Sequence, residues 1–321
     1  MEQFEGRIAV VTGGGTGIGR ELVRQLSAAG AHVSMCDVSD ANMAESKALA
    51  DKEAPSGTRI TTFVADVSDE TAMLAFRDHV LAEQQTDHVN LVFNNAGIGG
   101  GASFIEGSRE EWDRTFDVCW KGVYNGCRSF VPLLVASSEG HLVNVSSVNG
   151  FWASLGPDRA HTAYSAAKFA VKGFTEALVN DFRLHAPHVG VSVVMPGHIG
   201  TSIVLNSADI LGHRPEDMTA DDLAATRTVI TARGMDASTF TDDQIRGLIT
   251  TMGELFRDNA PTSAEQAAGV ILDGVRDGRW RILVGEDAHI LDQLVRETPE
   301  EVYEASFTAR QRAAGGVGID L

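Results

Sequence analysis

The sequence is short of basic residues and of long apolar runs, and each shortage excludes a class of protein. Lys and Arg number 26 against 44 Asp and Glu, for a formal net charge of −18. Binding to nucleic acid phosphates needs clustered Lys and Arg, so this balance argues against a nucleic acid partner. No window approaches the ~20 apolar residues of a membrane span, and the start MEQFEGRIAV lacks a basic-then-apolar signal pattern. We therefore expect no membrane span and no secretory signal.

Cysteine is also scarce. The three cysteines are Cys36, Cys119 and Cys127. They form no CxxC pair and no cluster with His at zinc spacing. We therefore expect no metal site, free thiols, and a reducing, cytoplasmic location.

Short apolar runs alternate with helix-length segments through most of the chain. The runs are continuous, as in parallel strands that are covered on both faces. Repeated strand–helix units predict right-handed crossovers, and hence a Rossmann-type α/β fold with a doubly wound parallel sheet of about seven strands between helix layers. The predicted strands are residues 8–13, 32–38, 60–67, 89–97, 141–150, 191–197 and 280–285. Residues 1–285 are expected to form one domain.

Two segments depart from this alternation. Residues 202–262 contain no predicted strand but two helix-like stretches, 219–234 and 241–259. Because they follow a strand end, where α/β folds place ligand crevices, we interpret them as a helical lid over the substrate. The alternative is a structural excursion that only packs on the surface. Residues 286–321 form a C-terminal extension, predicted to be a helix docked on the body or on a neighbouring subunit, followed by a frayed end.

The first predicted strand runs into TGGGTGIG, residues 12–19. This stretch does not fit G-x-G-x-x-G, but it fits T-G-x-x-x-G-x-G through Gly13, Gly17 and Gly19. Glycines let the backbone turn sharply and approach a pyrophosphate that faces a helix N-terminus. A plain tight turn is the alternative for such a stretch taken alone.

The second predicted strand reaches Asp37 near its end. An acid about twenty residues after the glycines is expected to hydrogen-bond a ribose 2′-hydroxyl. Its carboxylate would repel a 2′-phosphate, and Val38 follows it in place of Arg or Lys. The pattern therefore favours NAD over NADP, and the alternative role of Asp37 is a turn or helix cap.

The motif AYSAAKF places Tyr164 and Lys168 one turn apart on a helix face. A phenol has a pKa near 10, which is too high for a base at neutral pH. A nearby ammonium together with a positively charged nicotinamide would lower that pKa. Such pairs are common on helix surfaces, so the spacing alone does not establish a catalytic role.

Five motifs nevertheless occur in one order: TGGGTGIG (12–19), NNAG (94–97), NVSS (144–147), YSAAK (164–168) and PGHIGT (196–201). In order and spacing they resemble the short-chain dehydrogenase/reductase family, in its compact single-domain branch. The resemblance is close over residues 5–201 and looser over 263–285. It implies an NAD-dependent oxidoreductase that interconverts a secondary alcohol and a ketone, assembled as a homotetramer or dimer.

The resemblance also implies roles for individual residues. Tyr164 is the expected general acid/base, Lys168 lowers its pKa and holds the nicotinamide ribose, and Ser147, in preference to Ser146, hydrogen-bonds the substrate oxygen. Asp66 and Val67 flank the adenine, Asn94 and Ala96 line the ribose side, and Ile199 and Thr201 hold the carboxamide edge. The remaining implied cofactor contacts are Gly13, Thr16, Gly17, Ile18, Asp37, Gly97, Pro196 and Gly197.

The interval between Ser147 and Tyr164 is longer than the family usually has. Its residues Phe151, Trp152 and Leu155 would form a wall of the substrate pocket, which favours a bulky apolar substrate of steroid, terpene or aryl type. The alternative is that these side chains pack under the lid. His161 and His198 lie near the expected site, but a lone histidine is more often structural, and no catalytic role is assigned to either.

Cys119 belongs to an apolar helical stripe formed by Trp112, Phe116, Cys119, Val123, Cys127 and Phe130. A free cysteine behaves as a small buried hydrophobe, so packing is its simplest role. The resemblance implies more, because the family usually has an asparagine here. The backbone carbonyl of that asparagine holds a water in a proton relay to the lysine, and its side chain steadies an irregularity in the helix. We predict that the relay passes Cys119 through its backbone carbonyl alone.

Three hypotheses about the function remain open. The first is an active NAD-dependent dehydrogenase or ketoreductase. The second is a catalytically weak NAD-binding regulatory or assembly subunit, for which Cys119 is the only sign. The third is an NADP-linked 3-oxoacyl reductase, disfavoured by Asp37 and by the long segment 202–262.

Overall fold

A seven-stranded parallel sheet forms the centre of the computed structural model, which describes residues 1, 3–100, 103–156, 159–232 and 236–315. The strand order is β3-β2-β1-β4-β5-β6-β9. Its strands are β1 Ile8–Thr12, β2 His32–Asp37, β3 Ile60–Val64, β4 Leu91–Asn94, β5 Gly140–Val145, β6 Val189–Pro196 and β9 Arg281–Val284. Each overlaps one of the seven predicted strands, so the predicted Rossmann-type sheet is confirmed. Every residue of β1, β4 and β5 is buried, because helices cover both faces of the sheet.

The helices lie in two layers. α1, α2 and α10 pack on one face of the sheet, and α3 to α6 pack on the other. Their bounds are α1 Gly17–Ala28, α2 Asp40–Glu53, α3 Glu70–Gln84, α4 Arg109–Phe116, α5 Gly122–Ala136, α6 Thr162–His185 and α10 Ala264–Arg276. The order of the strands reverses between β1 and β4, and in such sheets the ligand crevice opens at this point, beyond the carboxyl ends of the strands.

Residues 202–262 form three helices, α7 Ile203–Leu211, α8 Ala220–Ala232 and α9 Asp242–Asp258. The last two lie within the predicted helical stretches, and α7 was not predicted. The expectation that the segment has no strand is wrong at its last residue, because Thr262 starts the two-residue strand β8 Thr262–Ser263, which pairs with β7 Ile199–Gly200. Leu223, Ala237 and Ile245 give this segment a small core of its own. Residues 233 and 234 of the predicted stretch 219–234 lie outside the described part.

The C-terminal extension contains two helices, α11 Glu286–Glu297 and α12 Ala305–Ala313, and both pack on the body of the chain. The indole of Trp152 donates a hydrogen bond to the carbonyl oxygen of Val302 at 2.9 Å, and its ring packs against Phe307 with centroids 5.6 Å apart. The extension is therefore anchored on the loop that follows β5. Residues 316–321, where a frayed end was expected, lie outside the described part.

Within the described ranges, none of the helices combines the length and apolar content that crossing a membrane requires. The same ranges contain no group of three or more His, Cys, Asp or Glu that could hold a metal ion. Cys36, Cys119 and Cys127 are all buried free thiols.

Candidate active site

One large cavity of about 1240 Å³ opens at the carboxyl ends of β1, β4, β5 and β6. Its wall is continuous from the glycine turn after β1 to Ser147, Tyr164 and Lys168, and then to α7 and α12. We call the part of the cavity that is lined by the predicted cofactor residues the cofactor half. The part that is lined by α7, α9, α11 and α12 is called the substrate half. A volume of this size exceeds that of most small-molecule pockets, which fits a site for two ligands.

The glycine turn leaves the backbone no room for side chains. Gly13 and Gly17 have φ values of +67° and +53°, in the left-handed region that favours glycine. A Cβ on Gly13 would lie 2.8 Å from the Cα of Ala96, and a Cβ on Gly19 would lie 1.9 Å from the carbonyl oxygen of Gly13. Because α1 begins at Gly17 on the cavity wall, its N-terminus can face a pyrophosphate.

Asp37 ends β2, and its carboxylate lies on the cavity wall. One oxygen accepts a hydrogen bond from the backbone N–H of Gly15 at 3.0 Å, and the other accepts from that of Ser39 at 3.1 Å. These bonds fix the carboxylate beside the glycine turn. The other lining residues around it are Val38, Ser39 and Asn42, which are uncharged.

Asp66 and Val67 also line the cavity, and Asp66 has a partner that the sequence did not reveal. Arg114, from α4, forms a 2.7 Å ion pair with Asp66 and lies on the same wall. Burial alone would raise the pKa of Asp66, but hydrogen bonds from Ser68 and the charge of Arg114 outweigh it, and the pKa is lowered. The carboxylate is therefore ionised and held in place.

The placement of Asn94 corrects one prediction. Asn94 is the last residue of β4 and points into the helix layer, where its amide donates to Asn144 Oδ1 at 2.8 Å and its oxygen fills the space beside Gly126. It is 1% exposed and does not line the cavity. The side chain of Asn95 lies on the other side of the pleat, and Asn95 lines the cavity with Ala96 and Gly97.

Ser147, Tyr164 and Lys168 meet on one wall at the centre of the cavity. Ser147 follows β5, and its hydroxyl accepts a hydrogen bond from the backbone N–H of Asn149 at 3.1 Å. The ammonium of Lys168 donates to the carbonyl oxygen of Val145 at 2.9 Å and lies 5.3 Å from the Tyr164 ring centroid. Ser146 serves a structural purpose, because its hydroxyl donates to the Lys168 carbonyl oxygen at 2.8 Å.

Burial dominates the proton equilibria of this group. It raises the pKa of the Tyr164 phenol; Cys119 adds to the increase, and the hydrogen bond with Ser147 opposes it. Burial lowers the pKa of the Lys168 ammonium, and the neighbouring Cys119 opposes that change. The phenol of Tyr164 is therefore protonated at neutral pH.

The loop after β6 forms the floor between the two halves of the cavity. Pro196, Gly197, Ile199 and Thr201 all line it. Asp287, from α11, holds this loop by accepting a hydrogen bond from the backbone N–H of His198 at 2.6 Å. A Cβ on Gly197 would meet the Asp287 carboxylate, so a side chain there would displace the group that holds the loop.

The His198 side chain connects this loop to the lid segment. Its Nε2 donates to the carbonyl oxygen of Phe256 at 2.7 Å, and the two rings pack with centroids 4.3 Å apart. Near the start of the segment 202–262, the side-chain amide of Asn206 in α7 donates a hydrogen bond to the Thr16 hydroxyl at 3.0 Å. These contacts connect the segment 202–262 to the loop after β6 and to the glycine turn after β1.

Cys119 lies in a π-helical turn, Asp117–Lys121, that joins α4 to α5. The wider turn is closed by a hydrogen bond from the N–H of Gly122 to the carbonyl oxygen of Asp117. The Cys119 side chain is fully buried, and its thiol donates to the carbonyl oxygen of Ile98 at 3.1 Å. Burial raises the pKa of this thiol although Lys168 opposes the change. Cys119 does not line the cavity, so its side chain can only position other groups.

We expect Cys119→Asn to keep kcat within about fivefold of the wild type, or to raise it, because an asparagine amide can donate to Ile98 in place of the thiol and one such bond is worth about 1 kcal/mol. Steady-state kinetics with thermal melting measures this. Cys127→Ser, which changes a buried thiol on α5 away from Ile98, is the control. Loss of turnover in both Cys119→Ser and Cys119→Asn, with the fold intact, would show that the thiol itself is needed.

The substrate half of the cavity has a more extensive apolar wall than the predicted one. Phe151 does not line it, whereas Trp152 lines it as predicted and, at 6% exposure, also anchors the C-terminal extension. Leu155 does line it, as predicted. Further apolar lining residues come from later helices and include Ile203, Val204, Ile210, Phe256, Leu291, Ala305 and Ala309.

The arrangement agrees with known proteins. The sequence profile described as short chain dehydrogenase matches residues 7–209. The Mycobacterium tuberculosis protein SadH, named as an oxidoreductase, is 35% identical over 296 residues, which cover 92% of each chain. The Escherichia coli oxidoreductase UcpA is 30% identical over 63% of this chain and 72% of its own.

Solved structures show the same fold. A short-chain dehydrogenase/reductase from Burkholderia phymatum, crystallised in complex with NAD, superimposes with a TM-score of 0.73 and 27% identity over 94% of this chain and 96% of its own. Levodione reductase superimposes with a TM-score of 0.65 and 23% identity over 90% of this chain and 99% of its own. With the family profile covering the glycine turn, Ser147, Tyr164 and Lys168, this chain belongs to the short-chain dehydrogenase/reductase family of oxidoreductases.

Proposed function

We propose that this chain catalyses the NAD-dependent interconversion of a secondary alcohol and a ketone. The observation that carries the proposal is that Ser147, Tyr164 and Lys168 share one wall of a cavity whose other half is the glycine turn and Asp37. This arrangement supports an acid/base role for Tyr164 between a space that suits a dinucleotide and a space for a second ligand.

In the proposed mechanism the Tyr164 hydroxyl gives a proton to the substrate oxygen during reduction and takes one from it during oxidation. The Ser147 hydroxyl hydrogen-bonds the same oxygen and holds it beside Tyr164. Lys168, anchored by the Val145 carbonyl, supplies a fixed positive charge behind the phenol. The nicotinamide cofactor, when bound, supplies the hydride chemistry, and in its oxidised form its positive charge favours the phenolate.

The choice of NAD rests on Asp37. Its carboxylate, fixed by Gly15 and Ser39, can accept the hydrogen bonds of ribose hydroxyls. A 2′-phosphate at that place would meet the carboxylate with like charge, and the lining residues beside it offer no cation to compensate. The same argument disfavours an NADP-linked 3-oxoacyl reductase.

The substrate that we propose is predominantly apolar. Support comes from the aliphatic and aromatic side chains of α7, α9 and α11 on the substrate half, such as Ile210, Phe256 and Leu291. We further propose that the segment 202–262 acts as the lid of this half and that residues 286–321 act as an extension of the domain 1–285.

We propose that the chain forms a homo-oligomer through α5 and α6. The rings of Trp120, Tyr124 and Phe174 form a cluster on this face, and Tyr124 and Phe169 are 43% and 42% exposed. Exposed aromatic groups of this kind are typical of subunit interfaces. Three buried free thiols fit the proposed reducing, cytoplasmic setting.

Following nicotinamide absorbance with NAD and NADP, against a panel of secondary alcohols and ketones that includes sterols, tests the proposal. We expect kcat/KM with NAD to exceed that with NADP, and Asp37→Ala to reduce this ratio at least about tenfold, because like charges ~4 Å apart interact by ~1–4 kcal/mol. Asp87→Ala removes the same charge from a side chain that is 99% exposed and is the control. A wild-type preference for NADP would contradict the assignment of Asp37.

A further inference from the structure

His161 stands closest in the chain to Tyr164 among the histidines of the cavity wall. Its ring packs against the Tyr164 ring with centroids 4.7 Å apart and a tilt of 34°. Its position is well defined, because its carbonyl oxygen accepts the N–H of Ser165 at 3.1 Å where α6 begins. The next side chain, Thr162, accepts a hydrogen bond from the indole of Trp112 at 3.1 Å. The imidazole is thus presented to the cavity beside the acid/base group.

The ring nitrogens of His161 are open to the cavity. Among the described residues they make no hydrogen bond, and neither nitrogen is sealed from solvent. His198, the other histidine on the wall, differs on both counts: its Nε2 donates to Phe256, and its Nδ1 is sealed without a partner. The mechanism proposed above uses the hydroxyls of Ser147 and Tyr164 and leaves the His161 nitrogens unused.

The enclosed position also determines the charge of the imidazole. Burial lowers the pKa of His161 to about 4, so the ring is neutral at pH 7. A neutral imidazole has one N–H donor and one lone-pair acceptor. It therefore suits an uncharged hydroxyl or carbonyl oxygen, and it offers no charge to a carboxylate or phosphate.

From this juxtaposition we infer that His161 hydrogen-bonds a second oxygen of the substrate, carried by the carbon next to the reacting carbon. The substrates are then α-hydroxy ketones, 1,2-diketones or vicinal diols on an otherwise apolar skeleton. The inference rests on the proposed function, because Tyr164 must hold the reacting oxygen for His161 to reach its neighbour. His161 is in this sense a specificity-determining residue, and it contacts the same oxygen in both directions of the reaction.

The test compares 1-phenylpropane-1,2-dione with 1-phenylpropan-2-one, which share a skeleton and differ by the neighbouring oxygen. The ratio of their kcat/KM values is measured in wild type, His161→Phe and His161→Gln. The diketone is intrinsically more reactive, but this difference cancels when one pair is compared across variants. We expect the ratio to fall at least tenfold in His161→Phe, equivalent to about 1.4 kcal/mol. His161→Gln, whose amide has a donor and an acceptor, should retain most of it.

His185→Phe is the matched control, because His185 lies at the far end of the same helix with its side chain 76% exposed, and the ratio should not change there. If His161→Phe does not fold, as judged by thermal melting, His161→Ala makes the same comparison. An equal ratio in wild type and the folded variant, or wild-type turnover of the mono-ketone alone, overturns the inference and leaves the proposed function standing. Absence of wild-type turnover with every alcohol and ketone tested overturns both.

Discussion

Tyr164→Phe is expected to lower kcat/KM by about a thousandfold, because general acid/base catalysis by a positioned group contributes about 10²–10⁴-fold. The variant removes one oxygen, and with it the proton that Tyr164 exchanges with the substrate. The ring itself remains to pack against His161 and Lys168. NAD binding should therefore persist, which separates loss of chemistry from loss of the site.

Stopped-flow or steady-state nicotinamide absorbance measures the rate, and cofactor fluorescence titration measures binding. Tyr124→Phe makes the same chemical change on α5, on a side chain 43% exposed and outside the cavity lining, and should keep wild-type rates. If Tyr164→Phe retained turnover, the assignment of Tyr164 as the acid/base would be wrong. The proton would then have to come from another group on the wall.

Gly19→Ala is expected to weaken NAD binding at least about a hundredfold, because a new Cβ would lie 1.9 Å from the Gly13 carbonyl oxygen and no side-chain adjustment can relieve a clash with backbone. Either the turn or the start of α1 must move. Both form the wall that faces the pyrophosphate in the proposed complex.

Gly247→Ala is the matched control for this prediction. Gly247 lies inside α9, and a Cβ there would meet nothing within 4 Å, so alanine should stabilise the helix by about 0.5–1 kcal/mol. Isothermal titration with NAD and thermal melting report binding and stability separately. Unchanged NAD affinity in a folded Gly19→Ala variant would contradict the assignment of the turn.

The parts of the fold that the sequence predicted are those encoded by neighbouring residues. Continuous apolar runs specify buried parallel strands, and the glycine turn and Asp37 follow directly from the ends of β1 and β2. Tyr164 and Lys168 lie one turn apart, so a single helix brings them to one wall. These features need no knowledge of distant packing.

The residues that sequence analysis missed are brought in from far along the chain. Asp287 reaches the His198 backbone across 89 positions, and Trp152 reaches Val302 across 150. No spacing rule predicts such contacts. Trp152 was interpreted only as substrate wall, and besides lining the cavity it anchors the C-terminal helices. Arg114 had no motif to distinguish it.

Two errors of detail have local causes. Asn94 and Asn95 are adjacent, and the alternation at the end of a strand sends their side chains to opposite sides. A prediction that is off by one residue therefore names a buried side chain in place of the one that lines the cavity. The π-helical turn at Cys119 is invisible to periodicity, because the apolar stripe fits an ordinary α-helix almost as well. The stripe identifies the buried face but not the extra residue in the turn.

The contribution of α12 to the cavity has a consequence for the timing of assembly. The residues of the cofactor half reach Thr201, and Asp287 of α11 holds the loop among them, whereas Ala305, Thr308 and Ala309 belong to the substrate half. A chain that emerges from the ribosome N-terminus first can complete the cofactor half once Asp287 has emerged and before α12 docks. On the proposed function, the nascent protein would hold NAD before it can hold a substrate, and the bound dinucleotide would stabilise the domain while its last wall is added.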